Sequence, residues 1–600
     1  MKMRVADYIA EFLEKKGIQA AFMLSGGGMM HLMDALGRRK TLKFYCNHHE
    51  HACALSAEGY ARKSGKLGVC YATSGPGASN TVTGVVECWQ DSVPVLFLSG
   101  QSKLSQTIQG SNIPGLRQFG TFEVDIIAIV KSITKYAVFL NDPKKVRYHL
   151  EKAYYLATTG RPGPVFIDIP VDIQGALIDS ETLGGFQPEN QSAAALSVSV
   201  LDKLLDRISK SQRPLILAGH GVRSSNQVQQ FQTLVQLLNI PVATTPLAAD
   251  LMEYNDPLFI GHPGMKGDRP GNFAVQNADF ILTLGCSLHV LTTGYELDRF
   301  APKAYKVQVD LDAAVLQREQ VGVHEKINAS LENFLAQFGE RLRKRVSQPQ
   351  VYFTNPMWKE RYQLWKKDLA VSLEPHAHQG TQLNFYDLID ALSEACPEGE
   401  TVVADAGSAF YIVGQAFRVK KNQRVIISGA LGAMGHALPL AIGAATADPA
   451  GQVLAVVGDG SFQTNVQELA TIRHSRFNIK MFVVNNNGYV SIRNTQTNFF
   501  GGYLVGTSPE SGVSFPSLEK LAAAYEIPYL VARNQAELQR LVKQALASKG
   551  PLLCEVFTAD TQEILPTVSS YKREDGTMES KPLHDMFPFM DPERLSKYMC

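Results

Sequence analysis

The alternation of apolar and polar positions predicts short buried strands separated by amphipathic helices along most of the chain. Apolar runs at 95–98, 165–169 and 453–457 have the length of buried strands. Apolar residues at helical spacing lie between such runs, as at 50–63 and at 331–346. Strands that alternate with helices in this manner are typical of parallel sheets covered by helices on both faces. The pattern therefore predicts an α/β fold.

This alternation occurs three times, so we expect three consecutive α/β domains. The predicted domains cover residues 1–180, 195–345 and 380–565, and a tail follows at 566–600. A soft linker rich in Gly, Pro, Asn, Gln and Ser separates the first domain from the second, and a polar stretch with some helix precedes the third. The tail is rich in proline and charge, and we expect it to be loop-like.

Composition narrows the functional class. The 600 residues are 45% hydrophobic, and 58 Lys and Arg nearly balance 57 Asp and Glu, which leaves a net charge of +1. This balance argues against a nucleic-acid partner, because such binding depends on an excess of basic residues. The least polar run, 430–447, is interrupted by His436 and Pro439, so we predict no membrane span. Eight cysteines without a C-x-x-C pair indicate reduced thiols, and we expect a cytoplasmic enzyme.

Two glycine-containing motifs follow neighbouring predicted strands in the third domain. GDGS at 458–461 follows the strand at 453–457, and NNNG at 485–488 follows a strand at 479–484, with a predicted helix at 462–474 between them. Because the carboxyl ends of parallel strands share one edge of a sheet, both motifs are expected to lie where open α/β sheets bind ligands. The alternative is that Asp-Gly and Asn-Gly are ordinary turn dipeptides.

The residue types in these motifs suit a magnesium diphosphate site. Mg²⁺ prefers hard oxygen ligands and often shares them with phosphate groups. Asp459 offers a carboxylate, Asn486 an amide oxygen and Gly488 a main-chain oxygen. Gly458 and Gly460 allow the backbone to approach a ligand closely. The free N–H groups at the start of the following helix are suited to an anion.

The same motifs, together with several others, resemble those of thiamine-diphosphate-dependent enzymes, and most closely the acetolactate synthase (acetohydroxyacid synthase) group. GDGSF and NNNG match the thiamine diphosphate motif. HEHACALSAEGYAR at 49–62 is similar to the HEQ…A-x-GYAR segment of the group, and ATSGPGASN at 72–80 matches ATSGPG-x-x-N. The sequence at 429–444 resembles GGLGTMGYGLPAAIGA. The resemblance extends over nearly the whole chain.

The resemblance implies a pyrimidine-binding domain, a central domain and a diphosphate-binding domain, in that order. It also implies thiamine diphosphate and Mg²⁺ as cofactors. The cofactor of this group lies between two subunits, so an obligate homodimer or homotetramer is expected. The central domain of the group often holds FAD. The sequence at 264–267 resembles an FAD-contacting turn, but 285–289 lacks an arginine of the group and Ser224 replaces the third glycine of a dinucleotide motif. FAD binding is left open.

Glu50 matches the glutamate that activates the cofactor in this group through a hydrogen bond to the aminopyrimidine ring. From the sequence alone, the alternative is an acid favoured at a helix N-terminus. A metal cluster of His48, His49 and His51 is disfavoured, because Cys53 replaces the second histidine of an H-E-x-x-H motif.

Other positions match cofactor contacts of the group. The main-chain carbonyl of Gly432 is implied to accept a hydrogen bond from the amino group of the pyrimidine ring, and Met434 is implied to lie between the two rings. The alternative for Met434 is ordinary packing. Further matching positions on the cofactor are Gly26, Gly27, Asn80, Gln101, Ser408, Gly458, Gly460 and Ser461.

The differences between this sequence and that of the group affect the acceptor substrate and some of the diphosphate contacts. Phe122 replaces a polar pocket residue, Val171 replaces a lysine, and 407–410 replaces Gly-Gln-His-Gln. The resemblance implies decarboxylation of a 2-keto acid, most simply pyruvate, and transfer of the acyl carbanion to a carbonyl acceptor. One alternative is acetyl transfer to a nucleotide-linked keto sugar, because the sequence at 580–588 resembles proteins that modify such sugars. Others are a simple 2-keto-acid decarboxylase or oxidase, and a non-catalytic relative that binds the cofactor.

Overall fold

The computed structural model describes residues 2–188, 196–346, 351–375 and 382–600. Within them lie three six-stranded parallel sheets, each packed between helices. This arrangement confirms the predicted fold class. Among the described residues, every helix is too short or too polar to cross a membrane.

The first domain contains a parallel sheet and a small antiparallel pair at its edge. Its strands are β1 Lys2–Arg4, β2 Ala20–Met23, β3 Lys43–Cys46, β4 Gly68–Ala72, β5 Val95–Gln101, β6 Tyr136–Phe139, β7 Val165–Pro170 and β8 Leu177–Asp179. The sheet order is β3-β2-β4-β5-β7-β6, and β1 pairs with β8. The helices are Val5–Lys15, Met30–Gly37, Glu50–Ser64, Pro76–Asn80, Val82–Gln90, Ile108–Ser111, Ile126–Val130, Val146–Thr158 and Val171–Gly175. The inner strands β4, β5 and β7 are buried along their whole length, as expected for a sheet covered on both faces.

The central domain has a different strand order. Its strands are β9 Pro214–Ala218, β10 Val242–Thr244, β11 Phe259–Gly261, β12 Phe280–Leu284, β13 Tyr305–Asp310 and β14 Glu325–Asn328. They lie in the order β11-β10-β9-β12-β13-β14, which is the order found in dinucleotide-binding folds. The helices are Val198–Lys210, Gly221–Ser224, Val228–Leu238, Arg269–Asn277, Val290–Thr293, Ala313–Leu316 and Leu331–Arg345.

The third domain repeats the plan of the first. Its strands are β15 Thr401–Ala404, β16 Arg424–Ile427, β17 Val453–Gly458, β18 Ile479–Asn485, β19 Tyr529–Ala532 and β20 Leu552–Phe557. They lie in the order β16-β15-β17-β18-β20-β19, so both domains place their six strands in the relative order 2-1-3-4-6-5. The helices are Phe385–Ala395, Ser408–Ala416, Ala437–Ala447, Asp459–Gln463, Glu468–Ser475, Val490–Phe499, Leu518–Ala524 and Gln535–Ala547.

The first and third domains pack through two helices that cross closely. These are Glu50–Ser64 and Ala437–Ala447, which both follow the second strand of their sheet. A Cβ atom on Gly59 would lie 2.2 Å from the carbonyl oxygen of Leu440, and one on Gly443 would lie 2.0 Å from that of Ser56. The two glycines therefore permit a contact that a larger residue at either position would prevent.

The C-terminal tail is loop over most of its length, as predicted, but it also contains regular structure that was not predicted. It forms a hairpin of β21 Ser570–Lys572 and β22 Met578–Ser580 and ends with the helix Pro592–Tyr598. Its apolar residues Leu583 and Tyr598 join the core of the central domain, where Tyr598 packs on Phe273. The linker helix Pro356–Asp368 also packs there, which agrees with the helix expected between the second and third domains.

Candidate active site

The carboxylate of Asp459 joins the two glycine-containing motifs at the carboxyl edge of the third sheet. Because β17 and β18 lie side by side, the loops that follow them meet. Asp459 Oδ2 accepts hydrogen bonds from the main-chain N–H groups of Asn486 at 3.2 Å and Gly488 at 2.9 Å. Its Oδ1 accepts one from Gly460 at 2.8 Å. Burial raises the pKa of Asp459, and these N–H groups oppose the shift. The three residues predicted as metal ligands are therefore neighbours.

The helix after β17 differs from its prediction. It begins at Asp459 rather than near 462, and the single helix expected over 462–474 is divided into Asp459–Gln463 and Glu468–Ser475. Side chains hold the intervening turn: Thr464 Oγ1 donates to the carbonyl oxygen of Ser461 at 2.7 Å. Asp459 thus occupies the first helical position and not the loop before it.

A left-handed turn follows β18. The φ angles of residues 487–489 are +58°, +74° and +32°. Gly488 has no room for a side chain, since its Cβ would lie 2.1 Å from Cε2 of Phe515. Arg493 donates to the carbonyl oxygen of Asn486 at 2.7 Å from the outer side. These contacts fix the shape of the turn against the carboxylate.

The other predicted contacts at this end surround the same edge. A Cβ on Gly460 would lie 2.6 Å from Cε1 of Tyr489, whereas one on Gly458 would meet nothing within 4 Å. Ser461 is buried in the first turn of its helix. Ser408 begins the helix after β15, and its hydroxyl oxygen lies 3.1 Å from that of Ser491. Open space is therefore present next to Gly458.

Glu50 begins the helix that follows β3 in the first domain. It is 7% exposed, and its Oε2 accepts a hydrogen bond from Nδ2 of Asn80 at 3.0 Å. Its Oε1 lies 3.2 Å from the Cβ position of Gly77. The carboxyl group therefore faces the ATSGPGASN segment. His49 Nδ1 caps this helix by accepting from the N–H of His51 at 3.1 Å, which gives the histidine a local structural contact.

The two glycines after β2 lie beside the same segment. A Cβ on Gly26 would lie 2.4 Å from Cβ of Thr73, so only glycine fits there. A Cβ on Gly27 would meet nothing within 4 Å. The N–H of Gly28 donates to Thr73 Oγ1 at 3.1 Å, which holds the two loops together.

Gln101 lies further along this edge, but its side chain is bonded within the first domain. It is 2% exposed, and its Nε2 donates to the carbonyl oxygen of Val124 at 3.0 Å and to Asp168 Oδ2 at 3.1 Å. Burial raises the pKa of Asp168 to about 7. The position of Gln101 therefore suits a structural role for its amide.

The loop after β16, which carries Gly432 and Met434, is held by a residue that sequence reasoning missed. Glu87 of the first domain accepts hydrogen bonds from Ser428 Oγ at 2.7 Å and from the N–H of Ala433 at 3.2 Å. Gly432 has a φ of +70° and its N–H donates to Ser428 Oγ at 2.9 Å. Met434 is 45% exposed, so its side chain is free to contact a ligand.

Two further acids hold segments of the site in place and were also missed by sequence reasoning: Asp405 holds the end of the Met434 loop, and Glu468 holds the segment before Glu50. Asp405 follows β15 directly, as Asp459 follows β17, and accepts hydrogen bonds from the N–H groups of Gly435 and Ala437 at 2.9 Å. The sequence signal that could have identified Asp405 is an acid directly after a buried strand, as at Asp459. Glu468 accepts from Asn47 Nδ2 at 2.8 Å across the two domains, a contact between residues 421 apart that no local pattern indicates.

Within one chain, the predicted site residues form separate groups. Gly26, Glu50 and Asn80 belong to the first domain, and Asp459 belongs to the third. In the described parts of the chain, no hydrogen bond or ion pair joins Glu50 to Asp459 or to the Gly432 loop. The predicted site residues therefore form two groups, one on the first domain and one on the third, which we call half-sites.

A large cavity lies at the switch point of the central sheet. Its volume is about 1190 Å³, and its walls include Gly219 and His220 after β9, Cys286 after β12 and Asp310 at the end of β13. Gly219 and its neighbours approach closely, since a Cβ on Gly219 would lie 2.3 Å from the carbonyl oxygen of Gly285. A cavity of this size at a switch point suits a nucleotide-sized ligand.

The described residues fit the implied cofactors. Asp459, Asn486 and Gly488 bring together carboxylate, amide and main-chain oxygens, which are the donors that Mg²⁺ prefers. Space for a ligand is open at Gly458 and at Gly27, where a Cβ would meet nothing within 4 Å.

Comparison with known proteins agrees with this geometry. Three family models match the chain: thiamine pyrophosphate enzyme, N-terminal TPP binding domain at residues 3–119, central domain at 201–338, and C-terminal TPP binding domain at 405–556. Chloroplastic acetolactate synthase of Arabidopsis thaliana is 31% identical over 94% of this chain and 83% of its own length. The acetolactate synthase large subunit of Cyanidium caldarium is 29% identical over 94% of each chain. The chain therefore belongs to the thiamine-diphosphate-dependent enzymes related to the acetolactate synthase large subunit.

Proposed function

We propose that this protein uses thiamine diphosphate and Mg²⁺ to decarboxylate a 2-keto acid, pyruvate in the first instance, and to transfer the acyl unit to a carbonyl acceptor. The observation that carries the proposal is the buried Glu50 carboxyl group hydrogen-bonded to Asn80 in the segment that matches the activating glutamate of the family. A relative that only binds the cofactor would have no need of this acid.

Each half-site has a separate task in this proposal. Glu50 holds and transfers a proton at its Oε atoms, and Asn80 orients that carboxyl group. Asp459, Asn486 and Gly488 hold Mg²⁺ and with it the diphosphate. When bound, thiamine diphosphate supplies the carbon nucleophile and accommodates the electron pair that carbon dioxide leaves behind.

A second copy of the chain is proposed to complete the site. Large apolar side chains are exposed beside both half-sites, with Phe122 near the Gly75 loop and Phe499, Phe500 and Tyr503 after the Asn486 turn. Exposed apolar patches of this kind are typical of subunit contacts. We expect a homodimer or homotetramer in which the first domain of one subunit faces the third domain of its partner.

One difference from the family sequence, at Phe122, favours a second candidate for the acceptor. Phe122 has a φ of +59° and is 69% exposed, and its carbonyl oxygen lies against Gly75, so an apolar ring stands where the family has a polar side chain. This replacement favours an acceptor other than a second small keto acid, and a nucleotide-linked keto sugar is the alternative.

The central cavity is proposed as a nucleotide site, with FAD as the ligand to test. The visible absorption spectrum of the protein after incubation with FAD and gel filtration decides this, because only bound flavin elutes with the protein. Flavin absorption in the protein fraction would show that FAD binds. A protein fraction without flavin absorption would remove FAD from the proposal.

The proposed function is tested by carbon dioxide release and product mass with thiamine diphosphate, Mg²⁺ and pyruvate. Acceptors are pyruvate alone, 2-ketobutyrate, simple aldehydes and a nucleotide-linked 4-keto sugar. An acetyl adduct establishes transfer and names the acceptor. Acetaldehyde alone indicates a decarboxylase, and oxygen consumption indicates an oxidase. Absence of carbon dioxide from every keto acid tested indicates a non-catalytic relative.

A further inference from the structure

His436 lies between Met434 and the helix Ala437–Ala447, and it is 1% exposed. Both of its ring nitrogens contact main-chain carbonyl oxygens: Nε2 lies 2.9 Å from that of Ala404, and Nδ1 contacts that of Ala433. A carbonyl oxygen only accepts hydrogen bonds, so each ring nitrogen must carry a hydrogen. A histidine with both N–H groups is an imidazolium ion.

Charged groups from other elements support this protonation state. Burial lowers the pKa of His436, but the carboxylates of Asp405 and Glu87 and the two carbonyl contacts outweigh it and raise the pKa above the ordinary 6.5. Asp405 lies at the end of β15, and Glu87 lies on a helix of the first domain. His51 is a further titratable neighbour, and its pKa is lowered to about 4 by burial and by His49 and His436. His51 is therefore neutral at neutral pH.

We propose that His436 is a positioning residue: as an imidazolium ion it ties the loop that carries Met434 to the end of β15, and it thereby sets the affinity for thiamine diphosphate. The inference rests on the proposed function, in which Gly432 and Met434 contact the pyrimidine ring. The corresponding family segment, GGLGTMGYGLPAAIGA, has a tyrosine where His436 stands. The charge is thus a property of this chain rather than of the motif.

Loss of the proton has a direct structural consequence. A neutral imidazole has one N–H, so either the carbonyl of Ala433 or that of Ala404 loses its donor. The stabilisation is present below the ordinary pKa of histidine and is lost as the pH rises through the raised pKa of His436. The loop then loosens, and we expect the dissociation constant of thiamine diphosphate to rise about tenfold, the size of effect that one unpaired buried group produces.

The test combines two readouts on the purified full chain. The first is the pKa of His436, measured in the wild-type protein by deuterium exchange at the imidazole C2 position with mass spectrometry. The second is the dissociation constant of thiamine diphosphate at saturating Mg²⁺, from about pH 6 to pH 9. Wild type is compared with His436→Gln and with a matched control, His474→Gln, on an exposed helical site.

We expect His436 to titrate above 6.5, the wild-type affinity to fall with rising pH, and His436→Gln to bind weakly without that pH-dependent step. His474→Gln should follow the wild type. A pKa of His436 below 6.5, or a His436→Gln profile parallel to the wild type, overturns the proposal. The first readout needs no variant, so it decides even where His436→Gln fails to fold. Failure of the proposed function appears separately, as absent carbon dioxide release from a protein that still binds the cofactor.

Discussion

The side-chain amide of Asn80 donates a hydrogen bond to the carboxyl group of Glu50 at 3.0 Å. Glu50 begins the helix after β3, and Asn80 ends the short helix after β4; these two strands lie on either side of β2. The bond leaves Oε1 of Glu50 free of protein donors among the described residues. This oxygen is therefore available to a ligand.

Replacement of Glu50 by glutamine should abolish most of the activity while leaving cofactor binding nearly unchanged. The amide preserves the shape of the side chain but cannot transfer a proton, and loss of such transfer costs about 10²- to 10⁴-fold in rate. Carbon dioxide release and thiamine diphosphate affinity should be measured side by side. Glu360→Gln, at an exposed helical position, is the control. Full turnover by Glu50→Gln would remove Glu50 from the mechanism.

Replacement of Asp459 by asparagine should weaken Mg²⁺ binding, so that cofactor binding requires a higher Mg²⁺ concentration. The variant keeps the size of the side chain but removes the negative charge, so we expect at least about a tenfold loss, the lower end of what even indirect changes to metal sites cause. Titration of Mg²⁺ at fixed thiamine diphosphate measures this loss. Asp298→Asn, at an exposed site, should titrate like the wild type. An unchanged Mg²⁺ titration in Asp459→Asn would exclude Asp459 as a ligand.

Replacement of Gly59 by alanine should destabilise the contact between the first and third domains. The new Cβ would lie 2.2 Å from the carbonyl oxygen of Leu440, and forcing such helices apart costs roughly 1–3 kcal/mol. Urea unfolding measures the change. Gly414→Ala is the control, because it lies inside a helix with nothing within 4 Å of its Cβ position, and it should be neutral or stabilising by up to about 1 kcal/mol. Equal stability of the two variants would contradict the close crossing.

The buried Asp168 should make stability depend on pH. Burial raises its pKa from 3.8 to about 7, so the folded chain retains a proton that the unfolded chain releases. The resulting stability is present below the ordinary pKa and is lost as the pH rises through about 7.

Replacement of Asp168 by asparagine removes this titration. Relative to the wild type, the variant should gain roughly 2–4 kcal/mol in the free energy of unfolding between about pH 4 and pH 8. Urea unfolding at a series of pH values measures the difference, with Asp298→Asn as the control. A difference that stays constant across this range would show that Asp168 is ionised in the fold.

Local pattern predicted the strands well, because buried parallel strands are continuous apolar runs between turns. β7 and β17 begin where their apolar runs at 165–169 and 453–457 begin, and each continues one residue further. The single helix predicted at 462–474 is two helices, because apolar residues continue at helical spacing across a turn held by Thr464 and its hydrogen bond. The hairpin and the helix of the tail were not predicted, since the tail packs on a distant part of the chain, the central domain.

The candidate site was predictable where residues belong to motifs, and not where they act across domains. Asp459, Asn486 and Gly488 are brought together by two adjacent strands, which the βαβ pattern indicates. Glu87 contacts a loop 346 residues away, and an isolated acid on a helix gives no sign of such a partner. Long-range contacts of this kind depend on how whole domains pack.

The first and third domains share one strand order, so their contact within the chain resembles the contact between two subunits of a symmetric dimer. Equivalent helices cross through reciprocal glycines, Gly59 and Gly443, as the same patch does on both sides of a two-fold interface. Equivalent positions in the two units have nevertheless diverged in chemistry. The position after the second strand carries an acid, Glu50, in one unit and the loop of Met434 in the other. Under the proposed function, the same architecture therefore supplies the proton-transferring acid in one domain and a cofactor-supporting loop in the other.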